Sequence, residues 1–240
     1  MLESSMERIV PDEMDLSIPF NKQILELHQN RYRFAGDHVV PGNILDLACG
    51  VGYGSFQMIN DIRLNESRCT AVDVSLSAIH YARHHYAHPR IDFVCSGFSD
   101  FMPAELFDSI VSLETIEHVP NPSLFVEKMN TLLKPGGVLI ISAPVTPSTD
   151  GNHYHLSNFS QSSLKKLLNY FGFTEIASLV QVQSYSLKQL NPKSADRPVR
   201  DVRSLVKFYI YHPGVLYARL VSLLKEGLNN RYLTLVVRKS

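Results

Sequence analysis

The sequence predicts an α/β fold: helices wind around both faces of a mostly parallel sheet of about seven strands, with the last strand antiparallel and a helical insertion before it. Three observations predict it. From Asn43 to Pro144, short β-rich apolar runs alternate with helical stretches, the pattern of successive βαβ units. A glycine-rich turn carrying Gly50, Gly52 and Gly54 follows the first apolar run. A final β-branched run, YLTLVVR over Tyr232–Arg238, lies beyond the alternation.

The elements follow in order. Asn21–Ala35 reads as a helix before the first strand. Strands fall at Ile44–Leu47, Cys69–Val74, Ile91–Cys95, Ser109–Leu113 and Val138–Ser142, with helices near Tyr53–Asp61, Leu76–His85 and Ser123–Leu133 between them. Lys134-Pro-Gly-Gly137 should end the last of these helices and turn into the fifth strand. A helix over Gln161–Tyr170 and a strand near Thr174–Gln181 come next. The chain thus divides, within one domain, into an N-terminal lid and helix (1–42), a core (43–183), an insertion (184–231) and a final strand (232–240).

Composition narrows the function. With 45% hydrophobic and 19% charged residues in 240, a sizeable buried core is expected. Lys plus Arg and Asp plus Glu are equal at 23 each, which removes any overall electrostatic case for nucleic acid. The neutrality hides an asymmetry: an acidic N-terminus offsets nine Lys/Arg against three acids between Lys188 and Arg231. Cys49, Cys69 and Cys95 form no CxxC pair, so a reducing, cytoplasmic setting is expected. The N-terminal residues do not read as a signal peptide, and Lys207, His212, Pro213 and Arg219 interrupt Leu205–Leu224 too often for a transmembrane helix.

The segment NILDLACGVGYGS carries the cofactor chemistry. Glycines permit the positive φ of a tight turn and let a ligand press on bare backbone. Dinucleotide-binding enzymes use the same turn, and a strand-turn-helix corner without a ligand would also contain it. Two acids separate these readings. Asp46, in the strand before the glycines, would meet the ammonium of a methionine moiety but repel a pyrophosphate. Asp73, at the end of the second strand, is placed to accept both hydroxyls of a ribose.

ILDLACGVGYGS, AVDVSLSAIHYA, FDSIVSLETIEHV and LLKPGGVLIISAP resemble, in order, the motifs of the class I S-adenosylmethionine (SAM)-dependent methyltransferases, whose fold is Rossmann-like. HQNRYRFA before the first strand and His153-Tyr-His155 after the fifth resemble the subgroup acting on small molecules, sugars and glycans. The resemblance implies that Asp46, Ala48, Gly50, Gly52 and Tyr53 hold the methionine end of SAM and that Asp73 holds the ribose. It places Val74 along the adenine and Leu113 near the sulfonium; Tyr32 and Arg33, on the helix before the first strand, are placed to close over the SAM carboxylate or the acceptor, or to pack as an ordinary lid. Where the family often has an acid for the adenine amine, this chain has Gly97, so backbone at Gly97 and Phe98, or Asp100, must substitute.

Glu114, Glu117 and His118 follow the fourth strand, at the edge where such sheets bind ligands. In a helical turn, positions i, i+3 and i+4 would share one face. With His155 they resemble the ExxEH-plus-histidine set of metal-assisted 2′-hydroxyl methyltransferases and of ubiquinone-pathway O-methyltransferases. That resemblance implies Glu114, Glu117, His118 and His155 as ligands of Mg²⁺ or another divalent cation; His155 is preferred to His153 because HLSNF has the subgroup's spacing. Without a metal, Glu117, His118 and His155 serve as general base or pocket wall, and acids in a first helical turn also occur for the helix dipole alone. His80, His84, His85 and His88 read as solvated helix residues.

A histidine base or a cation favours an oxygen acceptor, because a hydroxyl must lose its proton to accept a methyl group. The expected function is methyl transfer from SAM to a hydroxyl of a sugar, glycan or other metabolite. An RNA 2′-O-methyltransferase, an N-methyltransferase and a non-catalytic SAM-fold binding partner are the alternatives. The basic insertion suits a phosphate-bearing acceptor, a peripheral membrane contact, or a cap or homodimer face.

Overall fold

A computed structural model describes residues 8–146, 154–184, 202–226 and 229–240. Its sheet has seven strands: β1 (Asn43–Leu47), β2 (Arg68–Asp73), β3 (Ile91–Cys95), β4 (Phe107–Ser112), β5 (Leu133–Pro144), β6 (Phe173–Ser184) and β7 (Asn229–Lys239). They are arranged in the order β3-β2-β1-β4-β5-β7-β6. β1 to β5 pair in parallel, and β7 slots between β5 and β6 antiparallel to both. The predicted doubly wound sheet with an antiparallel last strand is therefore what the chain forms.

Alternation along the strands builds a core on each face. Leu45, Leu47, Ile110, Leu139, Ile141, Leu233 and Leu235 belong to one cluster. Their neighbours Ile44, Val111, Val138, Ile140 and Val236 belong to the other. The first face is covered by α4 (Pro122–Leu132) and α5 (Gln161–Tyr170) through Phe125, Met129, Leu164 and Leu168. The second is covered by α1 (Pro19–His38), α2 (Tyr53–Ile59) and α3 (Leu76–His85) through Tyr32, Ala35, Met58 and Ile79. Two further helices, α6 (Val202–Tyr211) and α7 (Pro213–Glu226), occupy the insertion before β7.

Caps explain several boundaries. The Asn121 side chain accepts hydrogen bonds from the Ser123 and Leu124 amides, so α4 starts at Pro122. Pro19 opens α1 two residues before the expected start, since a missing amide costs nothing in a first turn. At β5 the expectation needs correcting. The strand begins at Leu133, not Val138, because Leu133 pairs with Phe107 and Val138 with Ser109. The intervening Lys134-Pro-Gly-Gly137 is extruded as a bulge within β5 instead of turning into it. Gly136 takes φ 74° there, and both Asp108 carboxylate oxygens accept from Lys134 Nζ at 2.8 Å.

Strand order reverses between β1 and β4, with β2 and β3 on one side and β5 on the other. The crevice outside the carboxyl ends of β1 and β4 is the place such a sheet offers to a ligand.

Candidate functional site

After β1 the chain turns through three left-handed residues: Ala48 (φ 67°), Gly50 (φ 58°) and Gly52 (φ 84°). The Ala48 and Cys49 amides both donate to the Val72 carbonyl, at 2.7 and 3.0 Å, and pin the turn to β2. Gly52 is required by space as well as conformation, since a Cβ would lie 2.6 Å from the Phe93 ring and 2.8 Å from Ala82. Gly54, on the first turn of α2, would bring a Cβ to 2.1 Å from the Tyr32 ring. At Gly50 a Cβ would meet nothing nearer than the Arg8 side chain at 3.8 Å.

Asp46 is completely buried beneath this turn. Ser55 Oγ donates to it at 2.5 Å and the Tyr32 hydroxyl at 3.5 Å. Burial raises its pKa to about 7, although both hydroxyls pull it down. Tyr32 packs edge-on to Tyr53, with centroids 5.8 Å apart. It therefore reaches the glycine turn from α1. Arg33 does not reach the turn: it is exposed and donates to Asn30 on its own helix.

Asp73 ends β2 with its carboxylate facing the turn. The Gly50 amide donates to Oδ2 at 2.9 Å, the Ser75 amide to Oδ1 at 2.9 Å, and Arg8 Nη2 lies 3.3 Å from Oδ1. Val74 beside it is exposed, whereas Leu113 is buried just past β4. The Gly97 carbonyl accepts from the Asp100 and Phe101 amides, and Phe98 packs on Phe125 at 5.1 Å. The Asp100 carboxylate would stand 3.5 Å from a Cβ at Gly97, on the same turn.

Beyond β4 the structure divides the expected carboxylate–histidine set. Glu114 has φ 52° and lies outside the 3-10 turn Ile116–His118, so the three residues do not share a helical face. The Glu114 carboxylate accepts from Ser142 Oγ at 2.6 Å and pairs with Arg31 Nη1 at 3.1 Å. Glu117, His118 and His155 do converge, each offering a ligand atom within 4.8 Å of the others. The loop after β5 is drawn in by the Leu156 and Ser157 amides, which donate to the Glu117 carbonyl at 2.8 and 3.1 Å. His118 Nδ1 sits 3.0 Å from the Tyr154 carbonyl, and its ring meets His155 edge-on at 4.7 Å. His153 lies outside the described residues. On α3, His85 stacks on Tyr81 and meets His84, and neither belongs to the cluster that could hold a metal among the described residues.

Two arginines here were not anticipated. Arg31 is almost fully buried on α1: Nε donates to Gln181 Oε1 at 2.8 Å, and its guanidinium lies 4.8 Å over the Tyr232 ring. A signal existed, since the helical stripe Ile24–His28–Arg31–Ala35 carries an arginine where an apolar residue is expected. Arg8 precedes every strand and helix, and nothing in the sequence ties it to Asp73.

A family model described as a methyltransferase domain matches residues 41–189. The "Probable S-adenosylmethionine-dependent methyltransferase" of Mycolicibacterium smegmatis is 26% identical over 174 residues, which is 70% of this chain and 63% of that protein. A ubiquinone biosynthesis O-methyltransferase of Nitrobacter winogradskyi is 34% identical over 101 residues, 41% of this chain and 37% of that one. The chain thus spans less than two thirds of these relatives' lengths. Among solved structures, the N-methyltransferase NodS of Bradyrhizobium japonicum, in complex with S-adenosylhomocysteine, superposes with TM-score 0.60 at 18% identity, covering 92% of this chain and 88% of that one. The [4+2]-cyclase SpnF superposes with TM-score 0.58 at 18% identity, over 91% and 81% of the chains. At such identities the likeness shows the fold alone. With the family model covering more than half of its length, the chain belongs to the methyltransferase-domain family.

Proposed function

We propose that the protein transfers a methyl group from SAM to a hydroxyl oxygen of a small-molecule acceptor, with sugars and glycans first among the candidates. The donor assignment is supported by the family, by the glycine turn over Asp46, and by Asp73. In this reading Asp46 faces the methionine ammonium and Asp73 accepts the ribose hydroxyls. Tyr32, Ala48, Gly50, Gly52 and Tyr53 enclose the amino-acid end. Val74, Gly97 and Phe98 border the adenine, and Leu113 lies beneath the sulfonium.

The observation that carries the choice of oxygen is the convergence of Glu117, His118 and His155 within 4.8 Å at the edge next to the glycine turn. Bound SAM supplies an electrophilic methyl carbon. The acceptor oxygen attacks that carbon in line with the sulfur, the carbon–sulfur bond breaks, and S-adenosylhomocysteine leaves. An imidazole of the cluster takes the hydroxyl proton, and the buried Glu117 carboxylate stabilises the imidazolium that results. The same donors also suit a divalent cation, which would lower the pKa of the hydroxyl. With one carboxylate and two imidazoles, and with Glu114 held by Arg31, the set favours an imidazole-binding ion such as Zn²⁺ or Fe²⁺ over Mg²⁺.

The test is an acceptor panel scored by S-adenosylhomocysteine release, with and without chelator. His118→Ala should lower kcat by about 100-fold or more on the responding acceptor. Turnover unchanged in EDTA assigns the cluster to proton transfer, and loss restored by added metal assigns it to a cation. An amine-only response, or full activity in His118→Ala, would overturn the oxygen assignment.

A further inference from the structure

The polarity of α7 is inverted relative to an ordinary surface helix. Arg219 and Ser222 point inward and are buried, with Arg219 Nη1 donating to the Asn229 carbonyl at 3.0 Å. The outward stripe is apolar: Tyr217, Leu220 and Leu224, at helical spacing, are 72%, 49% and 88% exposed. On α6, before the His212–Pro213 joint, Ile210 and Tyr211 are likewise exposed, at 70% and 71%. Exposed apolar residues concentrated on two successive helices mark a binding face rather than ordinary scattered exposure.

Charge and residue type indicate what covers it. Lys207 and Lys225 are exposed on the two helices, next to Val206 and Leu224. The surrounding sequence from Lys188 to Arg231 carries nine Lys/Arg and three acids. A second copy would bring Lys207 and Lys225 against like charges. Exposed tyrosines among apolar residues, with neighbouring lysines, suit the boundary between acyl chains and phosphates. Neither helix is long and apolar enough to cross a membrane, so the pair would lie on a surface.

We propose that α6 and α7 form an interfacial anchor that docks this protein on an anionic phospholipid bilayer. Their apolar stripe enters the acyl boundary, and Lys207 and Lys225 reach the phosphates. The anchor joins the sheet at the end of β7 where Tyr232 pairs with Pro144 of β5, which is the edge that carries the candidate site. A docked bilayer would lie at that edge.

Flotation of the full chain with vesicles tests this, and it requires neither SAM nor turnover, so its outcome is independent of the proposed activity. Phosphatidylcholine vesicles with phosphatidylglycerol should carry the protein, and phosphatidylcholine alone should carry at least about tenfold less. The double variant Leu220→Glu/Leu224→Glu should lose binding, and Lys207→Gln/Lys225→Gln should weaken it by about an order of magnitude, with added salt acting likewise. These side chains are exposed, so each variant should keep the wild-type thermal unfolding curve. Binding indifferent to lipid charge, or retained in Leu220→Glu/Leu224→Glu, would overturn the proposal. So would a wild type that ignores vesicles but forms a dimer in light scattering that the glutamates dissolve.

Discussion

Arg8 lies on the carboxylate of Asp73, with Nη2 3.3 Å from Oδ1, and the stem of Arg8 covers the open side of Gly50. The strap that brings it there is tied down by Asp12, which accepts hydrogen bonds from the Tyr81 and Tyr86 hydroxyls at 3.1 and 3.0 Å. A ribose that meets both Asp73 oxygens must take the place of that guanidinium on Oδ1, where Ser75 already donates, and share Oδ2 with the Gly50 amide.

Arg8→Ala should therefore tighten S-adenosylhomocysteine binding. The side chains are 11% and 8% exposed, but the 3.3 Å contact is single and the carboxylate keeps two amide donors, so the gain is modest, about 1 kcal/mol or roughly fivefold in Kd. Calorimetry decides the sign. Weaker binding by the variant would make Arg8 a cofactor contact in place of a competitor.

Asp46 should make stability and binding depend on pH in opposite senses. Burial raises its folded-state pKa from the usual 3.8 to about 7. Between those values the folded chain holds a proton that the unfolded chain has released. Stability thus falls as pH rises through that window, by an amount on the order of a few kcal/mol complete above pH 7. A methionine ammonium needs the ionised form, so cofactor affinity should instead weaken below pH 7, approaching tenfold per unit. Asp46→Asn should flatten both profiles in denaturant titrations and calorimetry; an unchanged slope would assign the titration to another group.

Gly54→Ala sets two magnitudes against each other. Inside a helix alanine is favoured over glycine by about 1 kcal/mol. Here its Cβ would lie 2.1 Å from the Tyr32 ring, an overlap that only displacement of α1 relieves. Overpacking of this kind costs about 1–3 kcal/mol or more, so the clash should win and the Tm should fall. A raised Tm would mean that Tyr32 is free to move.

Arg31 and Glu114 should behave as a unit. Their side chains are 2% and 14% exposed, so removing one partner leaves a buried charge, at a cost of about 3–5 kcal/mol. Arg31→Met/Glu114→Gln should recover much of the loss of either single variant. Additive losses in urea titrations would show that the pair contributes no coupling.

How far the sequence reached follows from the range of the interactions involved. The placement of the glycine turn, Asp46 and Asp73 was legible because strand period, glycine spacing and an acid at a strand end are local patterns. The seven-strand sheet was legible from βαβ alternation and one β-branched final run. The fate of Glu114 was not, because it depends on Arg31 of α1, itself fixed by Gln181 of β6 and Tyr232 of β7. Spacing suggested a helical face for Glu114, Glu117 and His118, but Ser142 and Arg31 hold Glu114 in a left-handed conformation before the turn begins. The early start of β5 was hidden by Lys134-Pro-Gly-Gly137, whose composition signals a turn equally well when it is a bulge.

The proposed hold of the Asp73 carboxylate on the donor's ribose is read by calorimetric titration with S-adenosylhomocysteine. Wild-type protein should bind, and Asp73→Ala, melting as a folded chain, should bind about 100-fold or more weakly, because two charge-assisted hydrogen bonds are lost. Absence of binding by the wild type, or equal affinity in Asp73→Ala, would contradict the account.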